Sequence, residues 1–196
     1  MTRIGVFGGT FDPVHVGHLS IAQAALECVP LDRVIFVPTR RSPLKDRGPF
    51  AAEQDRLAML RLATADEPRF TVSTIELDRE GTSYTVDTLE RLKDEGDLYL
   101  VMGADAVSEF HRWRSPERIR ELAVLLVASR PGAPEPPGDE RLIVFDAPCL
   151  DISSRELRAR SARGRSLRYL VPDAARRHLE ANGLYRATED PPRKTT

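Results

Sequence analysis

Ile4-Gly5-Val6-Phe7-Gly8-Gly9-Thr10-Phe11-Asp12-Pro13-Val14-His15-Val16-Gly17-His18 is the stretch on which the fold turns. Its first four residues read as a buried strand. The run after it, Leu19-Ser20-Ile21-Ala22-Gln23-Ala24-Ala25-Leu26, reads as a helix. A glycine-rich turn between a first strand and a first helix suits a phosphate. Glycine lets the backbone approach the anion, and the first N–H groups of the helix have no partner of their own. His15 and His18, three residues apart, add side-chain donors at the same turn.

Working outward, apolar runs and helical spacings alternate. Strands are expected over Arg3–Phe7, Arg33–Val37, Phe70–Leu77, Leu98–Met102 and Val124–Ala128. Helices are expected over Val16–Cys28, Ala51–Ala65 and Tyr84–Lys93. That order implies an α/β fold, a parallel sheet with helices on both faces. Ligands of such sheets bind beyond the C-terminal ends of the strands, near the switch in strand order, and the Gly8–His18 turn lies at one such end.

Composition narrows the class. The chain has 196 residues, of which 41% are hydrophobic, enough for a proper core. A single domain over 1–187 is expected, with a disordered polar tail over 188–196. The formal net charge is −1, which offers no broad attraction to nucleic acid or an anionic membrane. No run of about 18 apolar residues exists to span a bilayer. The N-terminus opens straight into a strand, without a basic-then-apolar leader. Cys28 and Cys149 form no metal or redox motif and read as packing residues of a reducing, cytoplasmic chain. Two loops stand out: the basic Pro38–Pro49 and the Pro/Gly-rich Arg130–Asp139.

A second constellation is Ile152-Ser153-Ser154-Arg155-Glu156-Leu157-Arg158. Ser153 and Glu156 form a capping box, so a helix should begin at Ser154, its free N–H groups favouring an anion. Arg155 and Arg158 share one side of it. Alone, a capping box marks an ordinary helix start. Together with the first turn it carries more. The chain resembles the nucleotidyltransferase superfamily marked by HxGH, here His15-Val16-Gly17-His18, and by ISSxxxR, here Ile152, Ser153, Ser154 and Arg158. That resemblance implies a Rossmann-like fold of nucleotidyltransferase type, with both histidines on ATP phosphates.

Within the superfamily the chain is similar to the bacterial nicotinate-nucleotide adenylyltransferases, from Arg3 to about Tyr185. The segments that carry this are Gly8–His18, Gly81-Thr82-Ser83-Tyr84-Thr85-Val86-Asp87-Thr88, Gly103-Ala104-Asp105, Trp113 and Asn182-Gly183-Leu184-Tyr185. The resemblance implies Thr85 near the nicotinate carboxylate and Trp113 stacked on the pyridine ring. Helix-start donors suit a carboxylate and an indole face suits a flat heteroaromatic. One departure stands at Ser42-Pro43-Leu44-Lys45, where relatives often carry a histidine at the position of Leu44. Lys45 remains as a point charge for a phosphate.

The implied reaction joins ATP and nicotinate mononucleotide, giving nicotinate adenine dinucleotide and pyrophosphate in NAD biosynthesis. The implied catalytic set is His15, His18, Lys45 and Arg158. ATP would meet Gly8, Gly9, Thr10, Phe11, His15, His18, Gly103, Asp105, Ile152, Ser153, Ser154 and Arg158. Nicotinate mononucleotide would meet Thr10, Lys45, Tyr84, Thr85, Trp113 and Arg114. Mg²⁺ is expected on the ATP phosphates, with no metal site built by the protein and Asp12 as an outer partner. Rival readings are a pantetheine-phosphate adenylyltransferase, which lacks the Tyr84–Thr85 and Trp113 segments, and a nucleotide-binding module without catalysis. Nicotinamide mononucleotide is the rival acceptor. Whether the chain acts alone or as a homo-oligomer is left open.

Overall fold

The computed structural model describes residues 1–43, 48–129, 141–148 and 150–186, without the side chains of Ala104 and Asp105. Leu44 and Lys45, the loop Arg130–Asp139, Cys149 and the expected tail at 188–196 lie outside the described residues.

Among the described residues, six strands form one parallel sheet: β1 (Arg3–Gly9), β2 (Arg33–Pro38), β3 (Phe70–Val72), β4 (Asp97–Gly103), β5 (Ala123–Ala128) and β6 (Leu142–Phe145). Their order is β3-β2-β1-β4-β5-β6. The helices are α1 (Val16–Cys28), α2 (Glu53–Thr64), α3 (Thr85–Leu92), α4 (Ala104–Ser108), α5 (Pro116–Leu122), α6 (Ser154–Ala162) and α7 (Asp173–Ala181). Alternation along each strand divides the core into two. Phe7, Val34, Phe36, Val101 and Leu126 face the layer of α1, α2, α6 and α7. Ile4, Val6, Ile35, Val37, Leu98, Leu100 and Leu125 face α3 and α5. Helices cover both faces, as the alternating runs predict.

Most expected elements match within two residues. The strand expected over Phe70–Leu77 is the exception, since β3 ends at Val72. Ser73 still donates to Phe36, but then Asp78 N–H bonds back to the Thr74 carbonyl and its carboxylate accepts from the Thr74 hydroxyl. The turn takes Ile75 into the core and Glu76 toward the site. The short strand β6 and the helices α5 and α7 carry weak sequence signals and become apparent only in the fold. Cys28 corrects another expectation: it is exposed at the end of α1, not packed. Among the described residues no helix is long and apolar enough to cross a membrane.

The register opens the site. β1 pairs with β2 as far as Gly9↔Pro38, and β4 with β5 as far as Gly103↔Ala128. The β1–β4 pairing stops earlier, at Val6↔Leu100. Beyond that point the two central strands part, and a crevice forms where the strand order reverses.

Candidate active site

A cavity of about 480 Å³ fills that crevice. Phe7, Gly8, Gly9 and Thr10 line it from β1, and Leu100 to Gly103 from β4. A Cβ placed on Gly8 or Gly103 would meet no atom within 4 Å, so both glycines give their space to the cavity. Gly9 serves the fold instead. A Cβ there would come within 2.9 Å of the Phe11 ring, which lies buried across it.

The far wall comes from the start of α3 and the segment after α4. Tyr84 caps α3, its carbonyl accepting from Asp87 and Thr88 N–H, which leaves Thr85 at the head of the helix. The Arg114 guanidinium lies 4.6 Å from the Tyr84 ring centroid and 3.8 Å from the Asp87 carboxylate. Trp113 follows a 3-10 turn (Phe110–Arg112) and rests against Phe110, ring centroids 5.5 Å apart. The cavity thus brings together Gly8, Gly9, Thr10, Gly103, Tyr84, Thr85, Trp113 and Arg114 from the expected set.

The histidines stand beside the cavity, outside its lining. The His15 N–H donates to His18 Nδ1 at 3.2 Å, which places the His18 ring proton on Nε2. The two rings stack with centroids 3.7 Å apart. Burial lowers the His15 pKa from 6.5 to about 4, so this ring is neutral at pH 7. A neutral His15 is what lets two imidazoles stack without charge repulsion.

The second signature reaches the first across 141 residues of chain. Ser153 caps α6 and its hydroxyl accepts from Glu156 N–H, one half of the expected capping box. Ser154 donates to the Pro13 carbonyl at 2.9 Å, and Arg158 Nη1 to the Asp12 carbonyl at 2.6 Å. The Arg158 guanidinium also lies 4.2 Å over the Phe50 ring. These side chains therefore grip the β1–α1 loop, and Ile152, Ser153, Ser154 and Arg158 are not in the cavity lining. Phe11 has its ring in the core, leaving only its backbone toward the loop. Asp105 falls in α4, whose first residues are described by backbone alone.

Arg56 and Asp12 are buried charges whose roles the sequence does not announce. Arg56 is fully buried, and its Nη1 donates to the carbonyls of Thr10 and Thr39, both at 2.8 Å. It clamps the ends of β1 and β2 together beside the cavity. Its only sequence mark is an arginine on the apolar side of α2. Asp12, expected as an outer partner for Mg²⁺, is 2% exposed. Its carboxylate accepts from Phe50 N–H, Ala51 N–H and the Tyr185 hydroxyl at 2.6–3.1 Å, so it is occupied in holding the loop. Burial, with Asp12 beside it, raises the Tyr185 pKa and keeps that hydroxyl a donor.

The profile of the cytidylyltransferase-like family matches residues 6–160. A protein of Roseiflexus sp. (strain RS-1) named "Probable nicotinate-nucleotide adenylyltransferase" is 50% identical over 194 residues, covering 93% of this chain and 98% of the relative. This chain belongs to the nicotinate-nucleotide adenylyltransferase family. A second relative of the same name, from Thermus thermophilus, is 46% identical and covers 94% of this chain and all of its own. The fold is shared with the Plasmodium falciparum nicotinic acid mononucleotide adenylyltransferase complexed with NaAD, at TM-score 0.77 and 17% identity, covering 94% of this chain and 98% of that one. Membership in the nicotinate-nucleotide adenylyltransferase family agrees with a crevice that has loop glycines on one wall and an aromatic, helix-headed pocket on the other.

Proposed function

We propose that the protein transfers the adenylyl group of ATP to nicotinate mononucleotide, forming nicotinate adenine dinucleotide and pyrophosphate. The observation that carries this reading is the single crevice between β1 and β4. It joins the Gly8–Thr10 turn, which leads into the HxGH loop and suits a phosphate, to the Tyr84–Thr85 and Trp113 wall, which suits a flat ring bearing a carboxylate.

The mononucleotide phosphate attacks the ATP α-phosphorus in line. A new P–O bond forms, the bond to the oxygen bridging to the β-phosphorus breaks, and pyrophosphate leaves with that electron pair. A phosphate ester with a second pKa near ~6 is mostly dianionic at pH 7 and needs no general base. The protein's part is alignment and charge stabilisation. His18, with its proton on Nε2, donates to the phosphates. His15 fixes the His18 tautomer through its N–H and stays neutral. Arg158, Ser154, Asp12 and Arg56 hold the loop that presents both. Thr10, Lys45, Thr85, Trp113 and Arg114 receive the mononucleotide, and Gly103 with Asp105 the ATP side.

Among the described residues no three His, Cys, Asp or Glu side chains gather to hold a metal. With Asp12 already bonded, the residues fit a Mg²⁺ carried by ATP phosphates and water. When bound, it would neutralise triphosphate charge. The cytoplasm is the compartment this reading implies.

The test is pyrophosphate release from Mg²⁺–ATP with nicotinate mononucleotide, nicotinamide mononucleotide or 4′-phosphopantetheine in parallel. Selective release with nicotinate mononucleotide is expected. Preference for 4′-phosphopantetheine would discard the pocket assignment. ATP binding without release with any acceptor would make the protein a binding module.

A further inference from the structure

The cavity is polarised. Its rim carries Arg112 and Arg114, whose side chains are more than half exposed. Its inner wall carries Glu76, only 6% exposed. Glu76 Oε1 accepts from the buried Thr88 hydroxyl at 2.7 Å. Oε2 is buried and has no hydrogen-bond partner among the described residues. The arginines that flank its turn are directed elsewhere: Arg40 Nη1 at the Leu77 and Arg79 carbonyls, Arg91 Nη1 at the Ile75 carbonyl. A buried carboxylate with one oxygen unpartnered is costly, and a cation in the adjoining cavity would offset its charge. Trp113, on the same cavity, offers an indole, and an indole face attracts cations.

Resting on the mononucleotide reading above, we propose that Glu76 and Trp113 together select a pyridinium cation, with Glu76 as the buried counter-charge to the ring. The quaternary ring nitrogen carries one positive charge. The acid and amide mononucleotides share this cation, so Glu76 serves both alike. Discrimination between them falls to the N–H groups at the head of α3. A 1,4-dihydropyridine ring is neutral and loses the attraction of both groups.

The test measures the affinity of the full chain for nicotinate mononucleotide and for its 1,4-dihydro form. The wild-type protein is expected to favour the cationic form by about tenfold or more, the usual scale for a close opposite charge in a buried site. Glu76→Gln keeps an oxygen for the Thr88 hydroxyl but removes the charge. It should weaken the cationic form by about tenfold, leave the dihydro form unchanged and preserve the acid-to-amide ratio. Thr88→Val removes the anchor but not the charge and should keep the preference. A Glu76→Gln protein that alters only the acid-to-amide ratio overturns the inference. So does a wild-type protein that turns over nicotinate mononucleotide yet binds both forms within twofold, a result that leaves the proposed function standing and needs no variant to fold. A wild-type protein that uses neither mononucleotide with ATP overturns the proposed function itself.

Discussion

His15 makes the stability of this protein depend on pH within a window its surroundings define. The ring is 6% exposed, and its Nδ1 has no hydrogen-bond partner among the described residues. Burial lowers its pKa from 6.5 to about 4. In the unfolded chain the ring titrates near its ordinary value. Between pH 6.5 and about 4 the unfolded state therefore binds a proton that the folded state refuses. The stabilisation is whole above about pH 6.5, shrinks as the pH falls, and is gone near pH 4. At about 1.4 kcal/mol per pKa unit the loss is about 3 kcal/mol. For a chain of this size it corresponds to a fall in Tm of roughly 6–12 °C. His15→Asn keeps a polar residue favoured at a helix N-cap and removes the titration. Urea unfolding of both proteins at pH 7.5 and pH 4 isolates the effect, because carboxylates common to both cancel in the difference. The wild-type protein should lose about 3 kcal/mol more than the variant. An excess below about 1 kcal/mol would refute the argument that burial without a partner holds this imidazole neutral.

Other outcomes follow from the same contacts. His18→Ala should lower kcat by roughly 10²–10⁴-fold, the range for removing a donor that acts on developing charge; near-normal turnover in a folded variant removes His18 from the mechanism. Tyr185→Phe takes one of three short hydrogen bonds from the buried Asp12 carboxylate and should cost about 1.5–3 kcal/mol in denaturant unfolding. Unchanged stability would show that the tie from the C-terminal segment to the HxGH loop is dispensable. Gly103→Val starts a side chain at a Cβ position with no atom within 4 Å beyond its chain neighbours, at an ordinary φ of −79°. Unfolding free energy should stay within about 0.5 kcal/mol of wild type while turnover falls roughly tenfold or more. Normal turnover would show that substrate does not occupy the cavity at Gly103.

Local pattern was legible where it is strong. The all-apolar run Val34–Val37 and the helix after His18 stand where the sequence puts them, because a strand buried on both faces tolerates few polar residues. Ser153 caps α6 because its hydroxyl needs only its own helix. The failures involve contacts far along the chain. Ile75 and Leu77 continue the apolar alternation of β3, but the Thr74–Asp78 hydrogen bonds close a turn that periodicity does not see. The residues around Asp12 in sequence do not announce its hydrogen bonds with Phe50, Ala51 and Tyr185. Arg56 sits in a helix whose local pattern does not show that its guanidinium is buried across the Thr10 and Thr39 carbonyls.

The layered α/β class, the phosphate-type turn with its two histidines and the second signature that accompanies it can all be read from the chain without coordinates. These rest on period, glycine placement and capping, which act over a few residues. Where the crevice opens is a matter of strand assembly, since it depends on the β1–β4 pairing ending at Val6↔Leu100 while the outer pairings run on. The same assembly has Ser154 and Arg158 hold the loop and sets Glu76 in the cavity wall with one buried oxygen that has no partner among the described residues. Burial and hydrogen-bond satisfaction are properties of what surrounds a residue, and those surroundings are assembled from segments distant in the chain.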